Sequence, residues 1–175
     1  MIQTRNISVD DLPAVKALWG QLHAQAMNNN CWPAVPNDRW FAHLRENNQW
    51  AIAEEGKKAV GFSFWKLDPD GNASVRAIAA LEELPYLHLM ISILQTANQY
   101  GYGFLQRSRP EWTWLANIGA TFEPVGFAPM TPAEEARYAT RAEKLATRVP
   151  IQDRVIVPVS LIPVIEERIR TTQRA

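Results

Sequence analysis

The chain has 175 residues, 47% of them hydrophobic and 21% charged, which is enough for one domain with a real core. Its 18 basic and 18 acidic residues cancel, which removes the global electrostatic case for a nucleic-acid binder. A single cysteine, Cys31, excludes an internal disulfide and a cysteine zinc cluster, and a polar start (IQTRNISVDD) with no apolar run near the ~20 residues of a membrane span leads us to expect a cytoplasmic protein without a signal peptide.

Residues Ile2–Ile7 alternate and predict a short strand. Ser8 with Asp11 has the pattern of a capping box, and Leu12, Val15, Trp19 and Leu22 follow at helical spacing, predicting a first helix to about Gln25. The Asn- and Pro-rich stretch 28–37 reads as a loop, and Asn37 is placed to cap a second helix with Trp40, Phe41 and Leu44 on its apolar face. Gln49–Ala53 and Ala59–Leu67 are strands around a turn at Gly56. DPDGN at 68–72 leads to a third strand of this meander, Ala73–Ala79.

Pro85 suits the first turn of a helix whose stripe is Leu84, Leu87, Ile91, Leu94 and Ala97, with Gly101 as its left-handed terminator. Phe104–Arg107 is a short strand. Pro110 opens a brief helix with Trp112, Leu115 and Ala116 inward and Gly119 closing it, and Thr121–Phe127 is a further strand. Thr131, Pro132 and Glu134 start a helix reaching about Leu145, a helical insertion at about 128–150 in an otherwise single domain. Val155, Val157 and Val159 alternate in a last strand that Pro158 ends or holds at an edge, and Pro163 begins a C-terminal helix with Ile165 and Ile169 inward. A hairpin-linked meander followed by a β-α-β-α-β section predicts an α/β fold of the α+β kind, with a central mixed sheet flanked by helices.

Within this order, Gly101-Tyr102-Gly103-Phe104 resembles the passage from the central helix into the fifth strand of the GNAT N-acetyltransferase superfamily. The run WLANIGATFEPVGF, Trp114–Phe127, resembles its short helix, glycine turn and sixth strand, and the IGA-x-F form is similar to GNAT-like proteins of some tailed bacteriophages. The resemblance implies an acyltransferase using acyl-CoA or acetyl-CoA, with no metal, and acting on an amine or similar acceptor that is a small molecule or a protein. It implies that pantetheine enters where the fourth and fifth strands splay, along Val75–Ala79. The pyrophosphate then rests on the amides that open the next helix, and backbone amides near Ile78 and Ala79 stabilise the oxyanion. It also implies that the connection before the last strand borders the acceptor site or joins two copies of the chain, with Tyr138 at the contact.

The residues also depart from that family. Its glycine-rich phosphate loop should fall near residues 80–85, where the chain reads Ala-Leu-Glu-Glu-Leu-Pro, without a glycine and with two acids. The tyrosine that serves as general acid is replaced by Leu115, the asparagine that opens the short helix by Ser108 or Arg109, and Ala73–Ala79 holds no carboxylate. These losses keep a second reading open: a catalytically degenerate binding or structural module whose cleft is filled by side chains, with Trp112 or Trp114 as plugs.

Candidate site residues follow from the same placement. Arg76, Ile78, Ala79, Arg107 and Arg109 are the candidates for the acyl-CoA site, the arginines supplying charge in place of the lost loop. Trp32, Arg39, Trp40 and Tyr138 are the candidates for the acceptor wall, the aromatics by stacking. His43, one helical turn after Arg39, and His88, on the central helix, are the candidate general bases; surface or packing histidines are the ordinary alternative. The three histidines lack metal spacing, and Cys31 has no basic neighbour to activate it. Transfer to a nucleobase is the least supported option, given the neutral charge. A membrane partner is not expected.

Overall fold

The computed structural model describes residues 1–26, 34–137, 140 and 148–174. Strands β1 (Ile2–Asn6), β2 (Gln49–Glu55), β3 (Lys58–Leu67), β4 (Ala73–Ala80), β5 (Tyr100–Gln106), β6 (Thr121–Phe127) and β7 (Pro150–Pro158) form one mixed sheet in the order β1-β2-β3-β4-β5-β7-β6. Helices α1 (Leu12–Ala26) and α2 (Asp38–Asn47) cover one face. Helices α3 (Glu83–Leu94), α4 (Pro110–Asn117) and α6 (Ile162–Arg174) lie on the other, and α5 is the short turn of helix Pro132–Ala136. This is the α/β mixed sheet flanked by helices that the sequence predicts.

Strand periodicity explains the two cores. Trp50 and Ile52 on β2, with Phe62 and Phe64 on β3, point to the same side and stack beneath Trp19 of α1 and Phe41 of α2. The alternate residues Ala51, Ala53 and Trp65 face Leu87, Leu89, Ile93 and Leu94 of α3 and Ile165 and Ile169 of α6. α6 is fastened to the start of α3 by Arg168, which donates to both carboxylate oxygens of Glu83 at 2.8 and 3.1 Å. Arg5 on β1 likewise donates to Asp11 and to Glu54 of β2, and Asp11 also accepts from the Ser8 backbone N–H and hydroxyl in the predicted capping box.

Most predicted element boundaries hold to within two residues. Asn37 caps α2 by accepting from the Trp40 N–H at 2.9 Å, and Gly56 and Gly119 take the left-handed conformation expected of them. Two readings need correction, and a third is decided between its alternatives. α3 ends at Leu94, and Gly101 is not its left-handed terminator: it lies inside β5, which begins at Tyr100. Trp40 is not on the buried face of α2 but is 55% exposed, because Phe41 alone of that pair points at the sheet. Pro158 ends β7 as expected, but β7 is an inner strand between β5 and β6. The proposed helix to about Leu145 is described only as far as Ala136; Cys31, Trp32 and Tyr138 lie outside the described residues.

The sheet parts between β4 and β5. These parallel strands pair only at Ala73 with Gly101 and Ser74 with Tyr102, after which they diverge. The paired end is held by Asn72, a buried side chain whose Oδ1 accepts from the Gln99 and Tyr100 N–H groups at 3.2 and 3.4 Å. Asn98 returns a bond to the Asp70 carbonyl at 2.8 Å, tying the β3–β4 turn to the start of β5. A β-bulge on β4 adds to the divergence. Trp65 faces Val75 and Phe64 faces Ala77, so Arg76 is the extra residue. Gly103 sits where the strands separate: a Cβ there would lie 3.1 Å from the Val75 carbonyl oxygen, so only glycine fits without a shift. We therefore expect Gly103→Val to cost about 1–3 kcal/mol by overpacking. Urea denaturation of the variant and the parent checks this, and equal stability would mean that the strands separate more freely than the packing implies.

Candidate active site

The divergence of β4 and β5 opens a cavity of about 430 Å³ that runs through the sheet. On the α1–α2 side its walls are Trp19, Trp40, Leu44 and Phe64, and on the α3–α4 side Tyr86, Met90, Glu111 and Leu115. Val75–Ile78 of β4 and Gly103–Gln106 of β5 form its flanks. Past Ser74, half of the β4 backbone polar groups face this space without a strand partner, an edge that an extended ligand can pair with.

Neither tryptophan of α4 plugs the opening. Trp112 packs on Phe122 at 4.6 Å between ring centres, and Trp114 meets Tyr86 edge-on at 5.5 Å. The expectation of a cleft filled by these side chains is overturned by that packing: each is held on the α4 side, away from the cavity lining.

No protein-family model and no curated protein matches the chain. Solved structures do. A ribosomal-protein-alanine N-acetyltransferase from Escherichia coli superposes with a TM-score of 0.58 at 14% identity, over 91% of this chain and 94% of that one. A probable acetyltransferase from Staphylococcus epidermidis gives 0.58 at 15% identity, over 90% and 99%. The N-acetylglutamate synthase from Neisseria gonorrhoeae, complexed with coenzyme A and N-acetyl-glutamate, gives 0.59 at 11% identity, over 91% of this chain and 35% of that larger one. The chain has the GNAT acetyltransferase fold. At these identities the likeness concerns the fold, and the chemistry has to be argued from the residues.

The turn Ala80-Leu81-Glu82 enters α3 with Glu82 as an N-cap that makes no side-chain hydrogen bond. Pro85 in the first turn lacks an N–H, and Glu83 is held by Arg168. Two backbone donors, those of Glu83 and Leu84, therefore open the helix without a proline, and exposed Glu82 adds negative charge. The unpaired β4 edge and the cavity fit a pantetheine arm; the helix entry does not fit a pyrophosphate.

The candidate donor-site residues divide. Arg76 is exposed, lines the cavity and has no hydrogen-bond or ion-pair partner among the described residues. The Ile78 side chain lines the cavity, whereas that of Ala79 is fully buried against the α1–α2 core. Arg107 turns away from the cavity. Its guanidinium donates to both oxygens of buried Asp153 on β7, each at 2.8 Å. Arg109 does reach the cavity, but its guanidinium grips Glu111, with Nε donating to Oε2 at 3.0 Å and the second bond from a terminal nitrogen.

Among the residues expected at an acceptor wall, Trp40 is shared by the main cavity and a second hollow formed with Asn37, Arg39 and His43. The Trp40 and His43 rings stack at 5.2 Å. His43 is thus at an exposed outer hollow and not on the cleft. His88 is not on the cleft either. It is half-buried on α3, its Nε2 has no partner among the described residues, and burial lowers its pKa, which keeps the ring neutral. Among the described residues no group of three or more His, Cys, Asp or Glu side chains gathers for a metal ion, and no helix is long and apolar enough to cross a membrane.

Two cavity residues escaped the sequence reading. Tyr86, in the first turn of α3, is buried yet lines the cleft, and its hydroxyl has no hydrogen-bond partner among the described residues. Burial, with Glu111 nearby, pushes that hydroxyl far above the usual tyrosine range, so it keeps its proton. Glu111, in the first turn of α4, is 2% exposed. Its signal was a carboxylate two residues after an arginine at a Pro-opened helix start, which in isolation also describes an ordinary dipole partner.

Asp153 positions this pair. Besides holding Arg107, it accepts from Trp112 Nε1 at 2.7 Å, and so fixes the start of α4, which carries Arg109 and Glu111. The Arg107 bonds, reinforced by Trp112, hold its carboxyl below the usual range against the opposing effect of burial. A depressed folded-state pKa stabilises above the unfolded value, near 4, and the benefit is lost as pH falls through the folded value. Asp153→Asn is expected to cost about 2 kcal/mol at neutral pH, less than a fully buried pair because Arg107 can turn to water. Thermal melts of parent and variant from pH 7 to pH 2 should show the gap in Tm narrowing below about pH 4. A gap independent of pH would rule out the ion pair as its source.

Proposed function

We propose that this protein transfers an acyl group from an acyl-CoA thioester to an amine in the cleft between β4 and β5. The observation that carries the reading is the open cavity beside a β4 edge that β5 leaves unpaired from Val75 onward. The pantetheine arm runs along that edge as an added strand, and the thioester carbonyl meets backbone N–H groups of β4 near Ile78 and Ala79. The amine nitrogen enters from the α2 side, past Trp40, and attacks the carbonyl carbon. The C–N bond forms, the tetrahedral intermediate collapses, and the C–S bond breaks. The departing thiolate takes a proton from the Tyr86 hydroxyl, and the proton released by the nitrogen restores Tyr86 through solvent. Glu111, ion-paired with Arg109, favours the cationic character that builds on the attacking nitrogen.

Tyr86→Phe keeps the ring against Trp114 and removes the proton. It should lower kcat by ~10²-fold or more, the range of a lost general acid, with little change in KM for acetyl-CoA. Thiol-release kinetics check this, and an unchanged kcat would remove Tyr86 from the reaction.

The helix entry supports a second reading, in which the cleft binds a ligand without chemistry. Equilibrium titration separates the two. Because the phosphate cradle is missing, acetyl-CoA and S-acetyl-pantetheine should bind within about tenfold of each other, roughly 1.4 kcal/mol. Absence of binding by either at millimolar concentration would reject the transferase reading.

A further inference from the structure

Of the two arginines that line the cavity, Arg109 is paired with Glu111 and Arg76 is paired with no acid among the described residues. The position of Arg76 follows from the β4 bulge. Val75 packs with the α3-side core and Ala77 with the α1–α2 core, so side-chain alternation is broken once between them. Val75 lies against Gly101 and Gly103, and exposed Arg76, the extra residue of the bulge, lines the same cavity as Trp40, Leu44 and Phe64.

Arg76 is also far from the donor's phosphates in the proposed reaction. It stands two residues beyond the last β4–β5 pair, at the closed end of the cleft. Six residues separate it from Glu82 at the start of α3, roughly 20 Å along an extended chain, beyond the reach of an arginine side chain. The anion it can meet is therefore on the acceptor. The surroundings agree in sign. Arg39, which pairs with nothing among the described residues, lies at the neighbouring hollow, and Arg154, itself paired with Glu123 at 3.5 Å, lies 4.9 Å over the Tyr102 ring beside the cleft. Glu111, the acid lining the cavity, is held by Arg109. The remaining acceptor wall is apolar: Trp19, Trp40, Leu44 and Phe64.

We infer that the acceptor is an amine that also carries a carboxylate or similar anion on an apolar body, of the class of a hydrophobic amino acid, and that Arg76 binds its anionic group. This inference rests on the reading of the cleft as an acyltransferase site. A free guanidinium in an apolar wall would orient such a molecule by a two-pronged bond to the carboxylate while its amine points at the thioester.

The test pairs each amino acid with its decarboxylated amine: phenylalanine with phenethylamine, and leucine with isoamylamine. Ligand-observed NMR titration of the whole protein is run without donor, with acetyl-CoA affinity measured separately for the parent, Arg76→Gln and Arg76→Lys. We expect the carboxylated member of each pair to bind at least tenfold more tightly, Arg76→Gln to abolish that preference, and Arg76→Lys to restore part of it. Acetyl-CoA affinity should be unchanged in both variants. Equal binding within the pairs, binding by no member, or a preference that survives Arg76→Gln would overturn the inference. So would a loss of acetyl-CoA affinity in Arg76→Gln, which would assign the arginine to the donor. Failure of acetyl-CoA to bind the parent protein would instead strike the transferase reading, so the two failures are distinguishable.

Discussion

The structure turns on the two-residue pairing of β4 with β5. A parallel strand pair in the middle of a sheet ordinarily continues for its whole length, because every unpaired backbone group buried there costs free energy. Here the pairing stops after Ser74 and Tyr102. Asn72, Asn98 and the close approach of Gly103 to Val75 keep the joined end tight, and the bulge at Arg76 bends β4 away from β5. The two cores need not be interrupted by this opening. Phe62, Phe64 and their partners complete one beneath α1, and α3 with α6 complete the other. A sheet held from both faces can tolerate a split through its centre, and the backbone groups exposed by the split are the ones a ligand can satisfy.

Much of this was legible in the sequence because it rests on local signals. The capping box at Ser8 and Asp11, the Asn37 cap, the glycines at 56 and 119 and the alternation of β7 are each decided within a few residues. The errors share a physical cause. Gly101 looked like a helix terminator because a glycine after an apolar stripe often is one. In fact α3 stops at Leu94, where Thr96 bonds the Ile93 carbonyl, and the glycine is needed beside Leu94, where a Cβ would come within 3.3 Å. Trp40 looked like core because it is large and apolar, yet Phe41 takes the inward position. A choice between adjacent aromatics depends on how the helix is rotated against the sheet, which local pattern does not encode.

The site was less legible than the fold, and charge pairing is the reason. Arg76, Arg107 and Arg109 look alike as residue types, but their fates differ. Arg107 is committed to Asp153, 46 positions away, and Arg109 to Glu111, two positions away, while Arg76 has no such tie. A partner that distant in sequence is visible only once β5 and β7 are known to lie side by side. The histidines illustrate the converse. His43 and His88 have the right chemistry for a base, but one stacks on Trp40 at an outer hollow and the other is half-buried on α3, off the cleft. Tyr86 went unnoticed because it reads as one more apolar position in the stripe of α3.

The two ends of the cleft carry opposite electrostatics, and this asymmetry constrains any function assigned to them. At the α3 entry the helix dipole favours an anion, but Pro85 has taken away a donor and Glu82 contributes a negative charge in the open. At the closed end there is no helix terminus, yet exposed Arg76 pairs with no acid among the described residues. Its charge is solvated in the open cleft and acts more strongly on a ligand whose apolar body displaces that water. An ordinary phosphate-binding site places its positive potential where the helix begins. Here the helix start has lost a donor and a cation stands at the bulge, so under the proposed reaction the charge available for recognition lies toward the acceptor.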